Sequence, residues 1–403
     1  MTADRCELPA PKPYKKLIGF WVILRILTSA VAVVPSIVIR KVNADFSPVE
    51  LNVAVWPPSS LFTWLDRVLV QPWFRWDAKY YMWATSRGFS IQDGSASFHP
   101  LLSLLAKPIF YVTGSPLFGL LVVATVATLA LYFCFYRLAR VDLEDDVAWR
   151  ATLLFAVFPL SYVFYAPYTE STFLLFSVLL FYFARERRWL LAGVCGALAT
   201  LTRQQGLFLM VPLVMELWSA KERKPLALSS VLWIPIAYGL WILYRTFALA
   251  DSYPDFSSIH GLIYSTIISP SAHQVVAEQD FLFPLHALYL GFVKLWQDHN
   301  VPVLTDLFFG ACVILLAVLS WRNLRNSYRV YVLIILIVSF GYHTGMQVSS
   351  PYMGLPRHLL LAFPVFIGLA PRVTPYAMSK FVKIGVLGML LLTLFHCLRV
   401  WVP

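Results

Sequence analysis

Apolar runs near or above the roughly 20 residues that span a bilayer recur along the whole of this 403-residue chain. Clear cases are Leu17–Ile39, Leu117–Tyr136, Leu226–Leu249, Val303–Trp321, Val330–Gly345 and Phe381–Trp401. Backbone inside a bilayer must satisfy its own hydrogen bonds, and these runs lack the polar alternation of barrel strands, so they are read as helices. Composition agrees. Hydrophobic residues make up 59% of the chain and charged residues 13%, whereas a soluble domain carries about 25% charge. The fold class expected is an all-α, polytopic transmembrane bundle of about eleven spans, in a single membrane domain covering 1–403.

The net charge of +11 does not point to nucleic acid, because the basic residues form small clusters between apolar runs. Such clusters encode membrane topology. With the N-terminus inside, 19 Lys and Arg fall in the inner segments and 9 in the longer outer ones, the sense of the positive-inside rule. The first apolar run is too long for the core of a signal peptide and is expected to remain as the first span. Five cysteines are scattered, mostly within apolar runs, with neither metal-ligand spacing nor a disulfide framework. A divalent metal stays possible without support, and no cofactor is implied.

Two hairpins stand out. Ala151–Tyr168 and Ser171–Ala184 meet at Pro167-Tyr168-Thr169-Glu170-Ser171, and Trp189–Thr202 and Gly206–Trp218 meet at Arg203-Gln204-Gln205. Their arms are short for a crossing of about 30 Å. Their polar elbows are therefore expected below the outer surface, inside protein or a water-filled cavity. Two long segments are expected to face outward. Residues 40–116 carry Trp56-Pro57-Pro58 and Trp73-Phe74-Arg75-Trp76-Asp77, with Leu61–Val70 as a surface amphipathic helix. The second, 249–303, is rich in acidic residues and histidines.

Ionisable residues in or beside spans are costly and mark candidate sites. Asp77, Lys79, His99, Glu170, Arg203, Arg357 and His358 come from separated parts of the chain and share one membrane level under this topology. Asp77 reads either as a helix N-cap or as a general base at a dry interface. His99 reads as a hydrogen-bonded helix start, or as a ligand of phosphate or of a carboxylate. Glu170 suits a helix N-terminus. Arg203 is either its structural partner or an anion ligand, which the guanidinium fork matches. Arg357 and His358 flank a span, where an outward cation runs against the positive-inside bias. No phosphate-binding glycine loop, zinc spacing, dinucleotide fingerprint or Asp-x-Asp is present. The acidic string Asp142-Leu143-Glu144-Asp145-Asp146 reads as a solvated inner loop.

Five motifs carry a resemblance. Trp76-Asp77-Ala78-Lys79-Tyr80-Tyr81, Phe98-His99-Pro100-Leu101-Leu102-Ser103-Leu104-Leu105, Phe158-Pro159 with Tyr168-Thr169-Glu170-Ser171, Ala199 to Gly206, and Pro356-Arg357-His358 to Pro364 stand in one order. In order and spacing they resemble PIG-V-type mannosyltransferases, of the GT-C superfamily of glycosyltransferases, over roughly residues 17–370. The chain departs from that pattern at His99, Ser103, Gln204-Gln205 and His358. The resemblance implies a membrane enzyme that takes a sugar, mannose in the family, from a polyprenyl- or dolichyl-phosphate donor. The acceptor would be a lipid-linked or glycan hydroxyl, and the anomeric carbon would invert. Asp77 would be the catalytic base on the outer or lumenal face, and Arg203, Arg357 and His358 would hold the leaving phosphate, with His99 close by. Trp76, Lys79, Tyr80, Glu170 and Gln204 would lie beside the substrates. The enzyme would sit in the plasma membrane of a prokaryote or the endoplasmic reticulum of a eukaryote.

Two other classes share these features. A transporter or flippase also uses broken helices and buried charge, although no inverted repeat is visible. A non-catalytic subunit of a glycosyltransferase would keep the motifs without the chemistry.

Overall fold

A computed structural model describes residues 12–42, 65–251, 254–268, 280–344, 351–352 and 354–398 of the chain. The architecture is all-α, apart from a two-residue antiparallel bridge between β1 (Asp280–Phe281) and β2 (Tyr342–His343). In chain order the helices begin with α1 (Lys12–Val42), α2 (Ala78–Ser86), α3 (Leu101–Thr113), α4 (Pro116–Asp142) and α5 (Asp145–Ala156). The middle of the chain forms α6 (Glu170–Arg185), α7 (Trp189–Thr202), α8 (Met210–Ser219), α9 (Pro225–Ser229), α10 (Trp233–Ala248) and α11 (Ile259–Ile263). Then come α12 (Pro284–Asp298), α13 (Val301–Ser320), α14 (Asn326–Gly341), α15 (Leu355–Leu359), α16 (Pro364–Leu369) and α17 (Pro375–Cys397).

Among the described residues, five helical stretches are long and apolar enough to cross a membrane: Tyr14–Pro35, Pro116–Asp142, Pro225–Ala248, Val301–Asn323 and Pro375–Cys397. A sixth is reached if the pair Asp145–Ala156 and Pro159–Tyr165, bent by 78°, counts as one span. Helix length therefore does not carry the expected count of about eleven. Leu101–Thr113, Trp189–Thr202 and Asn326–Gly341 are apolar but shorter. The run expected over Val330–Gly345 stops as helix at Gly341, because Tyr342 and His343 leave for the bridge with β1.

Spanning helices of this chain are apolar on their outer faces as well. In α10 the exposed Ile236, Leu240, Leu243 and Phe247 recur every three or four residues, while Ala237, Tyr238, Trp241 and Arg245 are buried. A helix whose outward face is apolar along its length belongs against lipid. One charged group inside a span has its partners close by. Arg25, within α1, donates to the Tyr165 carbonyl at 2.9 Å, and its guanidinium lies 5.5 Å from the centroid of the Trp73 ring.

Most of the buried hydrophobic side chains form one contiguous cluster, rich in aromatics. Phe135 of α4 stacks on Phe155 of α5 at 4.5 Å, and Phe363 meets Phe135, Phe181 of α6 and Tyr331 of α14. This core fixes the elements whose ends carry the polar residues described below.

The two long segments contain more helix than their polarity announced. Within 40–116 lie α2 and α3, and within 249–303 lie α11 and α12. Residues 43–64, including Trp56-Pro57-Pro58 and the first part of the expected amphipathic helix, lie outside the described residues. Its remainder is a short π-helical turn, Asp66–Val70, in which Asp66 and Val70 are buried and Leu69 is exposed.

Candidate active site

The first short arm is broken by its prolines. The residue before a proline is pushed away from the helical region. Phe158 is accordingly at φ −56°, ψ 133° ahead of Pro159, and Ala166 is extended ahead of Pro167. The expected continuous arm Ala151–Tyr168 is thus α5, a sharp bend and a 3-10 segment Pro159–Tyr165. The chain then turns through Tyr168 and Thr169 into α6, with Glu170 in its first turn.

At the second elbow, α7 ends at Thr202 and Arg203 is extended, at φ −154°, ψ 148°. The chain restarts as the 3-10 segment Gln204–Leu209. A Cβ on Gly206 would stand 2.3 Å from the Thr200 nitrogen and 2.4 Å from its Cα. Backbone cannot move aside as a flexible side chain can, so this elbow requires glycine.

His99 reaches this elbow from another part of the chain. The last carbonyls of a helix lack partners within it, and the Thr200 carbonyl is 2.7 Å from His99 Nδ1. A carbonyl only accepts, so Nδ1 carries the proton. Burial pushes the His99 imidazolium down to about 3, helped by nearby Arg245 and Arg203, so the ring is neutral at pH 7. His99 therefore caps α7.

Asp77 does not cap α2. It stands at the N-cap position with helical dihedrals, φ −64° and ψ −20°, and its side chain makes no capping hydrogen bond. Instead Arg357 Nη2 donates to Asp77 Oδ2 at 2.8 Å, across 280 residues of sequence. The preceding Trp76 has φ 47°, a left-handed conformation that costs a bulky residue about 1–3 kcal/mol and that clusters at functional sites. Trp76 is 40% exposed, so the turn presents an indole and a carboxylate side by side.

Glu170 and Arg203 complete the constellation. Arg203 Nη1 lies 2.7 Å from Glu170 Oε1 and donates to Thr169 Oγ1 at 2.9 Å. Glu170 Oε1 is also 3.8 Å from Arg357 Nη1. The charged groups thus form a row, Asp77–Arg357–Glu170–Arg203, with two of each sign. The Arg357 guanidinium rests 4.7 Å from the centroid of the Tyr168 ring, a cation–π contact. Glu170 is fully enclosed, and among the described residues its Oε2 has no hydrogen-bond partner. The Asp77 side chain keeps 27% of its exposure. Arg203 therefore holds the structural bridge that competed with the phosphate role.

The remaining candidates lie around this row. Gly354, at φ 84°, opens α15, and its carbonyl accepts from the amides of Arg357 and His358. Burial, with Arg203 and Arg357 alongside, holds His358 well below the usual imidazole range, and its Nδ1 is enclosed without a partner. Tyr80 stacks on Phe98 at 4.7 Å. The Lys79 ammonium lies 4.7 Å from the Tyr80 ring centroid and 5.7 Å from that of Trp83. Gln204 donates to the Ile267 carbonyl at 2.6 Å, tying the elbow to the segment 264–268 rather than to the charged row.

Two partners escaped the sequence reading. Tyr168 supplies the ring under Arg357, and Thr169 supplies the second acceptor for Arg203. Their signal was adjacency to Glu170 at the elbow, where side chains of one turn converge.

The sequence model of the family described as dolichyl-phosphate-mannose-protein mannosyltransferase matches residues 97–246. No curated protein sequence matches the chain. Solved structures similar to it include the Archaeoglobus fulgidus oligosaccharyltransferase in the apo form. That likeness has TM-score 0.46 and 12% identity, and covers 94% of this chain and 55% of that one. The same enzyme tethered to an acceptor peptide containing the NVT sequon gives TM-score 0.45 and 13% identity, over 97% of this chain and 56% of that one. The chain thus spans about half the length of the oligosaccharyltransferase chains it resembles.

Proposed function

We propose that this membrane protein is a glycosyltransferase of GT-C type that moves a sugar, mannose by preference, from a polyprenyl- or dolichyl-phosphate donor to a hydroxyl of a lipid-linked or glycan acceptor. One observation carries the reading. A partly exposed carboxylate with no capping duty stands beside an arginine, at the edge of a buried charged row built from four separated chain segments. The five-motif resemblance and the mannosyltransferase family match over 97–246 support the same chemistry.

The reaction assigned to the site is one displacement. The acceptor oxygen bonds to the anomeric carbon as the bond from that carbon to the phosphate oxygen breaks. The electron pair leaves with the lipid phosphate, and Asp77 takes the proton of the acceptor hydroxyl. The leaving group is already a stable anion, so the protein's main electrostatic task is to receive it. Arg357 is the cation for that task, since it lies beside Asp77 and offers a planar fork that suits phosphate. The charged row lies on the outer or lumenal side under the topology the basic residues encode.

Transfer by purified protein, given a panel of polyprenyl-phosphate sugars and a lipid-linked acceptor, tests the reading. A general base contributes about 10²- to 10⁴-fold in rate, so Asp77→Asn should lower turnover by that factor. Retention of more than about a tenth of wild-type turnover would remove Asp77 as the base.

A further inference from the structure

We infer that Arg357 is a ligand shared in turn by Asp77 and the donor's anionic headgroup, so that donor binding displaces Asp77 from the arginine and releases it toward the acceptor. The inference rests on the preceding reading that the donor is a lipid phosphate.

Charge balance is the reason. The row holds two carboxylates and two guanidiniums, all paired. An anion entering a largely buried, already balanced cluster finds no unmatched cation, and burying it uncompensated is prohibitive. The neighbouring cations keep their charge, but their donors or faces are engaged outside the row. Arg75 donates to the carbonyls of His396, Cys397 and Phe74. Arg25 donates to the Tyr165 carbonyl. Lys79 is laid over aromatic rings. Within the row, the incoming phosphate therefore takes a guanidinium from a carboxylate.

Burial decides which carboxylate yields. Glu170 is fully enclosed, fixed in the first turn of α6 and bridged to Arg203 at 2.7 Å. Asp77 is more than a quarter exposed, and among the described residues Arg357 is the side-chain partner of its carboxylate. When Asp77 leaves, Arg357 keeps two anchors, the Tyr168 ring beneath it and Glu170 beside it. The enclosed Glu170 Oε2, unpartnered in the present arrangement, is an acceptor ready for that second state. Glu170 is on this account a positioning residue for Arg357. The exchange also imposes an order, with the donor bound before Asp77 is free to accept a proton.

A consequence separates this exchange from simple attraction. If Asp77 competes with phosphate for Arg357, removing its charge should tighten donor binding while abolishing transfer. The experiment measures binding of polyprenyl phosphate and of a polyprenyl-phosphate sugar to the full-length protein in lipid nanodiscs. Asp77→Asn should bind both about 10- to 100-fold tighter than wild type, the range expected from losing one charge-assisted hydrogen bond to a competitor. Arg357→Gln should bind both weakly, and the double variant should match Arg357→Gln, because the competition then has no object. Asp77→Ser removes the same charge and serves if Asp77→Asn does not fold. Wild-type binding with Asp77→Asn unchanged or weaker overturns the exchange alone. Failure of wild type to bind any lipid phosphate overturns the functional reading and the exchange with it.

Discussion

Glu170 carries one oxygen between two guanidiniums and a second oxygen with no partner, all inside protein. Removing one member of a buried ion pair leaves the other uncompensated and costs about 3–5 kcal/mol. Glu170→Gln and Arg203→Gln are each expected to lose stability of that order in thermal unfolding, and the double variant should recover part of it. Arg203→Lys keeps the charge but cannot bond Thr169 and Glu170 with one planar fork. It should lower the melting temperature while leaving the donor KM near wild type. An altered donor KM without stability coupling would return Arg203 to the phosphate. His99 shows the same lesson at smaller scale. Its ring fills the vacancy left by a helix end at Thr200, a role that only the folded chain creates.

The elbow after α7 is the element on which the site depends. It brings Arg203 to Glu170, carries the carbonyl that His99 caps, and ties to the segment 264–268 through Gln204. Gly206 is what lets the chain turn that tightly. In Gly206→Ala the new methyl meets the Thr200 backbone, so we expect a loss of at least about 1–3 kcal/mol, as for overpacking, and a matching loss of transfer. Gly239, inside α10, has nothing within 4 Å of a Cβ, so Gly239→Ala should be neutral or mildly stabilising. Equal effects at both positions would mean that the close approach at the elbow is not a constraint.

For the whole molecule the open question is which end faces outward. The uneven division of Lys and Arg predicts that the segment holding Ser257 and the segment holding Lys221 lie on opposite sides of the membrane. Single cysteines placed there, in a background without the native five, should be labelled by a membrane-impermeant reagent from opposite faces. Labelling from the same face would overturn the orientation and the outward placement of the charged row. Exposed apolar side chains along α10, α13 and α17 already fix the molecule's solvent as lipid.

Class and solvent were legible in the sequence, because a run of apolar residues has one low-energy state in a bilayer and needs no knowledge of its neighbours. The extended Arg203 between two short helices was legible too, since a lone charge between apolar arms marks a break wherever the arms pack. Continuity was not legible. Whether an arm such as Ala151–Tyr168 runs straight or bends by 78° depends on what receives the orphaned backbone groups, such as the Phe155 carbonyl taken by Ser161. Roles within the charged set were decided later still. Asp77 as a cap and Asp77 paired to Arg357 are the same residue in the same local sequence, separated only by whether an arginine 280 positions away arrives within 2.8 Å. Local sequence sets what a residue is able to bond, and the packed core sets which partner is there to be bonded.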